Sequence, residues 1–278
     1  MVAVTAEALP GGPGPKAGIT ITGLGVGNSL VNVWRTADEE RNPVRGARRV
    51  TMNDAGFVTD WDVPTNRRVV YEVEVLSGPG GASRKTAAAI NIASETSWLM
   101  DPFIPQGAVP VIGKRTRKGD IVLRGPALSA LEHGADISMF NVMGNRKPIA
   151  LFGDRMAEKG VDLSMGTRSA EESKRLKDLL TSTSGFLFRP GPDLDGVLLK
   201  GTMFLAVPSV VQIPVDVGWG GEMTWWEFKG DTVAAPTVKV LTATWTYGDV
   251  QLLVETYQQK QDAMAGKTYL DDLKNPLG

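Results

Sequence analysis

The sequence predicts a mainly β protein that consists of two β domains and a C-terminal helical tail. Short apolar runs with a period of two fill residues 1–100. A second series of such runs, interrupted by one helical pattern, fills residues 101–236, and residues 237–278 carry an apolar stripe with helical spacing. A period of two is typical of half-buried strands, whereas spacings of three and four are typical of helices. We therefore expect domains at 1–100 and 101–236 and a helical extension at 237–278.

The first hundred residues are expected to form an antiparallel β-sandwich of about seven strands. The clearest strand pattern places Val69, Tyr71, Val73 and Val75 on one face. Turn-forming sequences separate the runs, at residues 23–28, 53–56, 64–66 and 78–81. Residues 65–77 resemble the late strands of fibronectin type III modules, which implies an Ig-like sandwich.

A proline-rich stretch marks the change to the second domain. Pro102, Pro105 and Pro110 follow one another closely, and proline lacks the N–H that a central strand needs. We therefore expect this stretch to lie outside any central strand. Beyond it, the second domain is predicted to be a β-sandwich or a split barrel, with strands at residues 161–165, 185–189, 197–207, 209–217 and 222–228.

One helix is predicted to pack on this second domain, from Ser169 to about Leu180. Ser169 and Glu172 have the spacing of a capping box, in which the serine caps the helix and the glutamate reaches back to the serine backbone. Leu176, Leu179 and Leu180 form the apolar stripe of this helix, and the charged residues between them are expected to face water.

The C-terminal extension contains the candidate interface residues. Val250, Leu253, Val254 and Tyr257 lie at positions i, i+3, i+4 and i+7 of a predicted helix that ends near Gly266. A second short helix is predicted to begin near residue 268. Because an isolated helix with so narrow a stripe is marginal in water, we expect the four side chains to dock on another subunit or a neighbouring protein rather than on the chain's own sandwich.

Composition excludes several classes of function. The chain has 30 Lys and Arg residues against 31 Asp and Glu residues, and no segment carries the positive surplus that phosphate binding needs. There is no cysteine, which excludes disulfides and thiolate sites. No apolar run has the length of a membrane span, and residues 1–10 lack a signal-peptide pattern. We expect a protein made in the cytoplasm, with neither nucleic acid nor membrane as a partner.

Two motifs of possible catalytic or nucleotide chemistry have simpler interpretations. Gly23, Gly25 and Gly27 resemble part of a nucleotide-binding fingerprint, but a strand-like run follows where the fingerprint needs a helix. We interpret them as a hairpin turn. His133, the one histidine, lies beside Glu132, yet no nucleophile motif accompanies it. We interpret it as a solvated loop residue rather than a general base.

Acidic, basic and aromatic clusters each have a functional and a structural interpretation. Three carboxylates could belong to a calcium site or a glycosidase site, but a tight turn between strands also accounts for acidic residues in this pattern. They are Asp193, Asp195 and Asp216. The basic clusters are solvated or pair with carboxylates of a neighbouring subunit, and they comprise residues 114–118 together with Arg45, Arg48 and Arg49. The aromatic cluster suits sugar stacking or core packing, and it comprises Trp219, Trp225 and Trp226.

Several short motifs of the second domain occur in a known order. Residues 140–149 (FNVMGNRKPI) resemble the P-V-x-G-R-x-x-P-V opening of a repeated domain in the minor tail proteins of actinobacterial siphophages. Residues 168–180 resemble the helix of that family, and residues 185–190 resemble its G-x-x-L-L-R-x-P strand. Residues 222–236 resemble its closing strand, and residues 245–253 resemble the helical ending that often follows.

This resemblance implies a virion component of the tail tip, with a tail-tube-like fold and with no catalytic residue, metal or cofactor. It implies that the partners are other copies of the chain and other tail-tip proteins. Our leading hypothesis is a structural, non-enzymatic subunit of a symmetric ring, with a copy number that is a multiple of three. An adhesin that binds a host cell-surface glycan is the alternative, and a cell-wall hydrolase is a third class.

Overall fold

Strands dominate both halves of the chain, as the sequence predicts. The computed structural model describes residues 2–9, 14–112, 121–125, 127–143, 146–192, 194, 199, 201–215, 217, 223–237 and 256–274. Unit 1 comprises Met1–Glu95, Pro102–Gly107 and Pro236–Gly278, and unit 2 comprises Thr96–Asp101 and Ala108–Ala235. Residues 96–101 therefore group with the second unit, and the C-terminal segment groups with the first.

The strands described in unit 1 form two antiparallel sheets. They are β1 (Ala3–Leu9), β2 (Lys16–Thr22), β3 (Asn28–Ala37), β4 (Glu40–Pro43), β5 (Val50–Asn53), β6 (Gly56–Asp60), β7 (Arg68–Ser77), β8 (Ser83–Thr86) and β9 (Ile90–Asn91). One sheet has the order β1-β2-β6. The other has the order β4-β3-β7-β8, in which β5 also pairs with β3 and β9 also pairs with β7.

The core of unit 1 lies between these two sheets. Val69, Tyr71, Val73 and Val75 of β7 are buried, and the residues between them are partly exposed, so the alternation predicted for this strand is confirmed. The first sheet contributes the fully buried Ile19 of β2, which belongs to the same apolar cluster. Two sheets that bury one face each form the predicted sandwich.

The glycine-rich turn after β2 crosses between the sheets, so its interpretation as a hairpin turn is wrong. β2 pairs with β1 and β6, whereas β3 pairs with β4, β5 and β7. Gly23, Gly25 and Gly27 all have positive φ, which only glycine adopts at little cost. The Asp54 side chain accepts a hydrogen bond from the Gly25 N–H at 3.2 Å, and this bond holds the crossing in place.

A charged group lies buried in the sandwich. Asp60 is almost fully buried, and its carboxylate accepts hydrogen bonds from Arg35 Nη1 at 3.0 and 2.9 Å and from the Tyr71 hydroxyl at 2.8 Å. The backbone N–H of Asp62 donates a further bond to it at 3.0 Å. The three side chains come from β3, β6 and β7, so this network ties one sheet to the other.

Unit 2 contains a closed seven-stranded barrel with a two-stranded ribbon attached to it. Its elements are β10 (Ser97–Met100), β11 (Val109–Ile112), β12 (Ile121–Leu123), β13 (Glu132–Phe140), β14 (Ile149–Lys159), β15 (Val161–Asp162), β16 (Met165–Thr167), α1 (Ala170–Ser182), β17 (Gly185–Arg189), β18 (Met203–Ala206), β19 (Val210–Pro214) and β20 (Thr224–Val233).

The barrel closes through β20, which is its last strand in the sequence. The order β20-β16-β12-β11-β10-β17-β18 returns to β20, because β18 pairs with β20. All of these pairs are antiparallel except β11 with β12. β15 and β19 also pair with β20 outside this ring. Of the two architectures predicted for this unit, the barrel is the one that forms.

Two strand predictions of this unit need correction. Pro110 lies inside β11, where it pairs with Trp98, although the prolines were expected outside central strands. Within the described residues, the pairing with the other neighbour, β12, begins at Val111, so the proline lies near the start of its strand, where its missing N–H is tolerated. The strand expected at residues 161–165 is interrupted, because the Asp162 side chain accepts a hydrogen bond from the Ser164 N–H at 2.9 Å and turns the chain.

The predicted helix of unit 2 is confirmed as α1. Leu176, Leu179 and Leu180 are buried in the barrel cluster, and the Ser169 hydroxyl accepts a hydrogen bond from the Glu172 N–H at 3.3 Å. The return bond of the capping box differs from the prediction. Glu172 Oε2 accepts from the N–H of Arg168 at 3.0 Å, one residue before the cap, which still satisfies a donor ahead of the first turn.

The C-terminal segment contains two short described helices, α2 (Tyr257–Ala263) and α3 (Tyr269–Lys274). Thr256 and Gln259 form a capping box at the start of α2. Gly266 lies in the turn between the helices with a φ of +78°. Lys260 of α2 and Asp272 of α3 form an ion pair at 2.6 Å, and α3 packs against β6 of the same unit.

Candidate assembly surface

The most exposed apolar surface of unit 2 lies on the ribbon of β13 and β14, which we call the arm (residues 132–159). These two strands pair with each other, and no other strand in the described part of the chain pairs with either. At about 3.3 Å per residue, the nine residues of β13 extend for roughly 30 Å. The base of the arm contacts β20, where Glu158 accepts a hydrogen bond from Thr232 at 3.4 Å.

The outer half of the arm is unusually apolar for a solvated ribbon. Met143 near the turn is 98% exposed, and Phe152 on β14 is 81% exposed. Buried cores normally collect such side chains, and a contiguous exposed patch of them indicates a contact surface. The exposed large apolar side chains of the arm are Ile137, Met139, Phe140, Val142, Met143, Ile149, Leu151 and Phe152.

These side chains occupy both faces of the ribbon. Residues directly opposite in an antiparallel pair share a face. Ile137 is opposite Phe152 on one face, and Phe140 is opposite Ile149 on the other. A ribbon that exposes one face to water alternates apolar with polar residues. The outer arm lacks this alternation, so both of its faces are suited to burial.

The inner half of the arm is charged instead. Glu132 is opposite Lys159, and His133 is opposite Glu158. The Arg155 guanidinium donates a hydrogen bond to the carbonyl of His133 at 2.9 Å across the ribbon. The arm therefore has a charged stem and a tip whose two strands are apolar, with Arg146 and Lys147 exposed between them. This division indicates that the tip alone is built for contact.

Sequence reasoning missed the arm as an element. Residues 140–149, which resemble the opening motif of a tail-protein domain, begin at the end of β13 and finish at the start of β14, so they connect the two strands of the arm. The signal that could have found it is the pair of apolar runs at residues 137–140 and 149–152, which are placed symmetrically about the Gly144-Asn145 dipeptide.

A second exposed apolar surface lies on β19 and the residues next to it, and we call it the β19 surface. β19 pairs with β20, and within the described residues no strand pairs with its other edge. Its ladder continues to Val215, whose N–H donates to the carbonyl of Met223 at 2.9 Å. The exposed apolar residues of this surface are Val211, Ile213, Val215, Val217 and Met223.

The tryptophans near this surface have different roles. Trp226 is fully buried in the barrel cluster, so core packing is its role. Trp225 is half-buried on the outside of the barrel, and the Arg124 guanidinium lies over its ring at 4.7 Å and also pairs with Glu227. Trp225 lines a shallow cavity of about 170 Å³ together with Met223 and Arg168. Trp219 lies outside the described residues.

The structure does not describe most of the interface residues that were predicted on the C-terminal helix. Val250, Leu253 and Val254 lie outside the described residues, and Tyr257 is the first residue of α2. The docking predicted for them therefore stays a prediction. The described helix that follows, α3, packs on β6 of its own unit rather than standing apart from it.

The described polar residues that were considered as catalytic or metal-binding candidates do not lie together in one site. His133 lies on the arm, in a strand rather than the loop that the sequence suggested. Asp193, Asp195, Asp216 and residues 114–118 lie outside the described residues. Among the residues that are described, no three His, Asp or Glu side chains are grouped so that they could hold a metal ion.

The basic cluster of unit 1 is partly internal. Arg45 is buried and donates two hydrogen bonds to Asp62, at 2.8 and 2.6 Å, so it is not a solvated cation. The Arg49 N–H donates to the side chain of Asn32 at 2.8 Å, and Arg49 itself has a φ of +53°. Arg45 therefore stabilises the unit from inside and is not available to a neighbouring subunit.

The ionisable groups with shifted pKa values lie in the sandwich of unit 1. Burial raises the pKa of Tyr71, and the negative charge of Asp60 raises it further. Burial opposes the charged form of Arg35, but the carboxylates of Asp60 and Asp62 outweigh it and raise the pKa of the guanidinium. Hydrogen bonds from Asn32, Trp34 and Arg84 lower the pKa of Glu74. These shifts accompany structural hydrogen bonds.

In comparison with known proteins, no protein-family model, no curated protein sequence and no solved structure matches the chain. Among the described helices, none has the length and apolar character needed to cross a bilayer.

Proposed function

We propose that this chain is a non-catalytic structural protein of the virion, located at the tail tip of a long-tailed bacterial virus, where it assembles with its own copies into a ring. The observation that carries the proposal is the arm, whose tip exposes large apolar side chains on both faces. A surface of this kind needs a protein partner to cover it. An assembling subunit has such a partner permanently, whereas a lone soluble protein does not.

The motif order supports the viral assignment. The residues that resemble the family helix and the family strand form α1 and β17, which follow one another in unit 2. The residues that resemble the family's closing strand overlap β20, which closes the barrel. The three motifs thus keep their order along one folded unit, with β18 and β19 between the second and the third, as expected if they descend together from a minor tail or distal tail protein.

Copy number in the particle tests the proposal. Mass measurement of isolated tail tips should find this chain in a multiple of three copies, because a ring built on a tail tube repeats one interface around a closed axis. Imaging of the same particles should place the chain at the distal end of the tail. A single copy per virion, or absence of the chain from particles, would contradict the proposal.

A glycan-binding adhesin is the alternative, and Trp225 is the residue that favours it. Its ring is partly exposed beside a cavity, and tryptophan rings stack on sugars. The cavity volume of about 170 Å³ is below the roughly 300–1,000 Å³ of most ligand pockets. A chain that stays monomeric and binds one defined cell-wall glycan on an array would favour the adhesin over the ring subunit.

A further inference from the structure

The arm tip requires a partner that covers apolar faces and also supplies backbone hydrogen bonds. Both faces of the tip are apolar, and the outer edges of β13 and β14 have no pairing strand in the described part of the chain. Each strand therefore presents a row of N–H and C=O groups along one edge. Such edges disfavour a lipid partner, because hydrocarbon cannot satisfy backbone donors and acceptors. A protein that offers an open strand edge satisfies both requirements.

The same unit offers an edge with these properties at the β19 surface. β19 has a single pairing partner among the described strands, and Val211 and Ile213 along it are exposed. Val211 is opposite Glu227 and Ile213 is opposite Trp225, so the apolar side chains of β19 continue onto the Trp225 side of the barrel. An incoming strand can extend this sheet by one strand while its side chains cover Ile213 and its neighbours.

The arm and the β19 surface are attached to different parts of the same strand. The base of the arm joins β20 near Asp231, whose side chain accepts a hydrogen bond from the Gly160 N–H at 2.8 Å. β19 pairs with the opposite half of β20, from Thr224 to Phe228. A molecule with two complementary surfaces at separate positions forms head-to-tail contacts, and these close into rings when the rotation permits.

We propose that the arm tip of one copy docks on the β19 surface of a second copy, adding a strand to its sheet edge. This inference rests on the self-assembly part of the proposed function and names the surfaces that perform it. Each copy then gives its arm to one neighbour and receives the arm of the other neighbour on β19. The charged stem remains in water between the two bodies.

The available area agrees with a specific contact. A fully exposed large apolar side chain presents roughly 100 Å² of surface. Weighted by their exposures of 45–98%, the eight side chains of the arm tip present on the order of 500 Å², and the five of the β19 surface about 250 Å². Apolar atoms form a little over half of a protein interface, so the contact would bury roughly 1,300 Å² in total, within the range of specific interfaces.

Mixing of two complementary variants tests the proposal on the full chain. Phe152→Lys charges the arm tip, and Val211→Lys charges the β19 surface opposite Glu227, where a lysine is compatible with the fold. Val26→Lys is the matched control, because Val26 is an exposed valine of unit 1. Each variant should keep the wild-type circular dichroism spectrum at 25 °C, which is checked first.

Sedimentation and native mass spectrometry then give the assembly state. Wild type and Val26→Lys should form the ring, and Phe152→Lys and Val211→Lys should each be monomeric. An equal mixture of the two monomeric variants should give a dimer and nothing larger, because one intact arm meets one intact β19 surface.

Other outcomes overturn the proposal in distinguishable ways. If Val211→Lys assembles like wild type and Phe152→Lys does not, the arm contacts something other than β19. If both variants assemble like wild type, the arm and β19 play no part in assembly, and only the proposal that the chain forms a ring is retained. If wild type remains monomeric at high micromolar concentration, this inference and the proposed ring both fail. Arm-dependent binding of wild type to phosphatidylcholine vesicles would show that lipid is the partner.

Discussion

Arg35 Nη1 lies 3.0 and 2.9 Å from the two carboxylate oxygens of Asp60, in the interior of the first unit. The carboxylate is almost fully buried, and the Tyr71 hydroxyl also donates to it. A buried ion pair contributes little net stability relative to apolar residues, but removing one partner leaves the other charge uncompensated. This relationship makes Asp60 a sensitive polar position of the sandwich.

Asp60→Asn should destabilise unit 1 by about 3–5 kcal/mol, because the buried guanidinium of Arg35 loses the carboxylate that it is hydrogen-bonded to. Denaturant unfolding followed by circular dichroism measures this difference. Glu72→Gln is the matched control, since it makes the same chemical change in the more exposed Arg41–Glu72 pair at 2.5 Å, and it should cost less than about 1 kcal/mol. Equal losses in the two variants would show that the interior pair has no special role.

Alkaline pH should reveal the raised pKa of Tyr71. The unfolded tyrosine ionises near pH 10, whereas the folded one stays neutral to higher pH because burial and Asp60 disfavour the phenolate. Its contribution to stability is therefore complete below about pH 10 and is lost as pH rises above that value.

The measurement for Tyr71 is the free energy of unfolding between pH 9 and pH 11. Wild type should lose up to about 1.4 kcal/mol per pH unit more than Tyr71→Phe above pH 10, because the variant has no group to titrate at this site. The remaining tyrosines and lysines are present in both proteins, so their contributions to the pH dependence cancel in the difference between the two free energies of unfolding. Parallel curves for the two proteins would contradict the prediction.

Gly166 of β16 allows the Trp225 ring to lie directly against the backbone of the barrel. A Cβ at position 166 would lie 2.7 Å from the ring, so Gly166→Ala should displace Trp225 and cost about 1–3 kcal/mol. The emission of the Trp225 fluorophore should also change. Gly185→Ala in β17 is the control, because a Cβ there meets no atom within 4 Å, and it should be neutral or stabilising by up to about 1 kcal/mol.

The predicted interface on the C-terminal segment has a separate test. Leu253→Asp together with Val254→Asp should leave the isolated protein folded and soluble but exclude it from assembled tails, if the stripe docks on a neighbour. Burial of two such side chains contributes on the order of 3–6 kcal/mol, so the effect on incorporation should be large. Unfolding of the isolated double variant would instead assign the stripe to the core of the chain itself.

Local patterns in the sequence predicted the elements whose burial follows a simple period. The alternation in β7 and the leucine stripe of α1 were correct, because each of these elements buries one face against one core. The strand at Gly185–Arg189 was also correct, although it is buried on both faces. The arm was missed for the complementary reason. Its tip is apolar on both faces, so the alternation that identifies a strand is absent from it.

Other features depend on pairing between distant residues, which no local pattern encodes. β10 pairs with β17, and β18 pairs with β20, and these pairs decide between a sandwich and a closed barrel. The buried network likewise joins Arg35, Asp60 and Tyr71 from three strands that are separated in the sequence. For the same reason, Arg45 could not be recognised as an internal residue from its neighbours Arg48 and Arg49.

The position of β20 at the end of unit 2 has a consequence for biosynthesis. Four strands of this unit, β15, β16, β18 and β19, pair with it, yet it is the last of them to leave the ribosome. Until then the earlier strands have open edges, and the long-range pairings make closure slow. Nascent chains that stall before Thr224 should therefore be sensitive to proteases and prone to aggregate. Protection from aggregation is therefore expected to matter most during synthesis, before β20 closes the barrel.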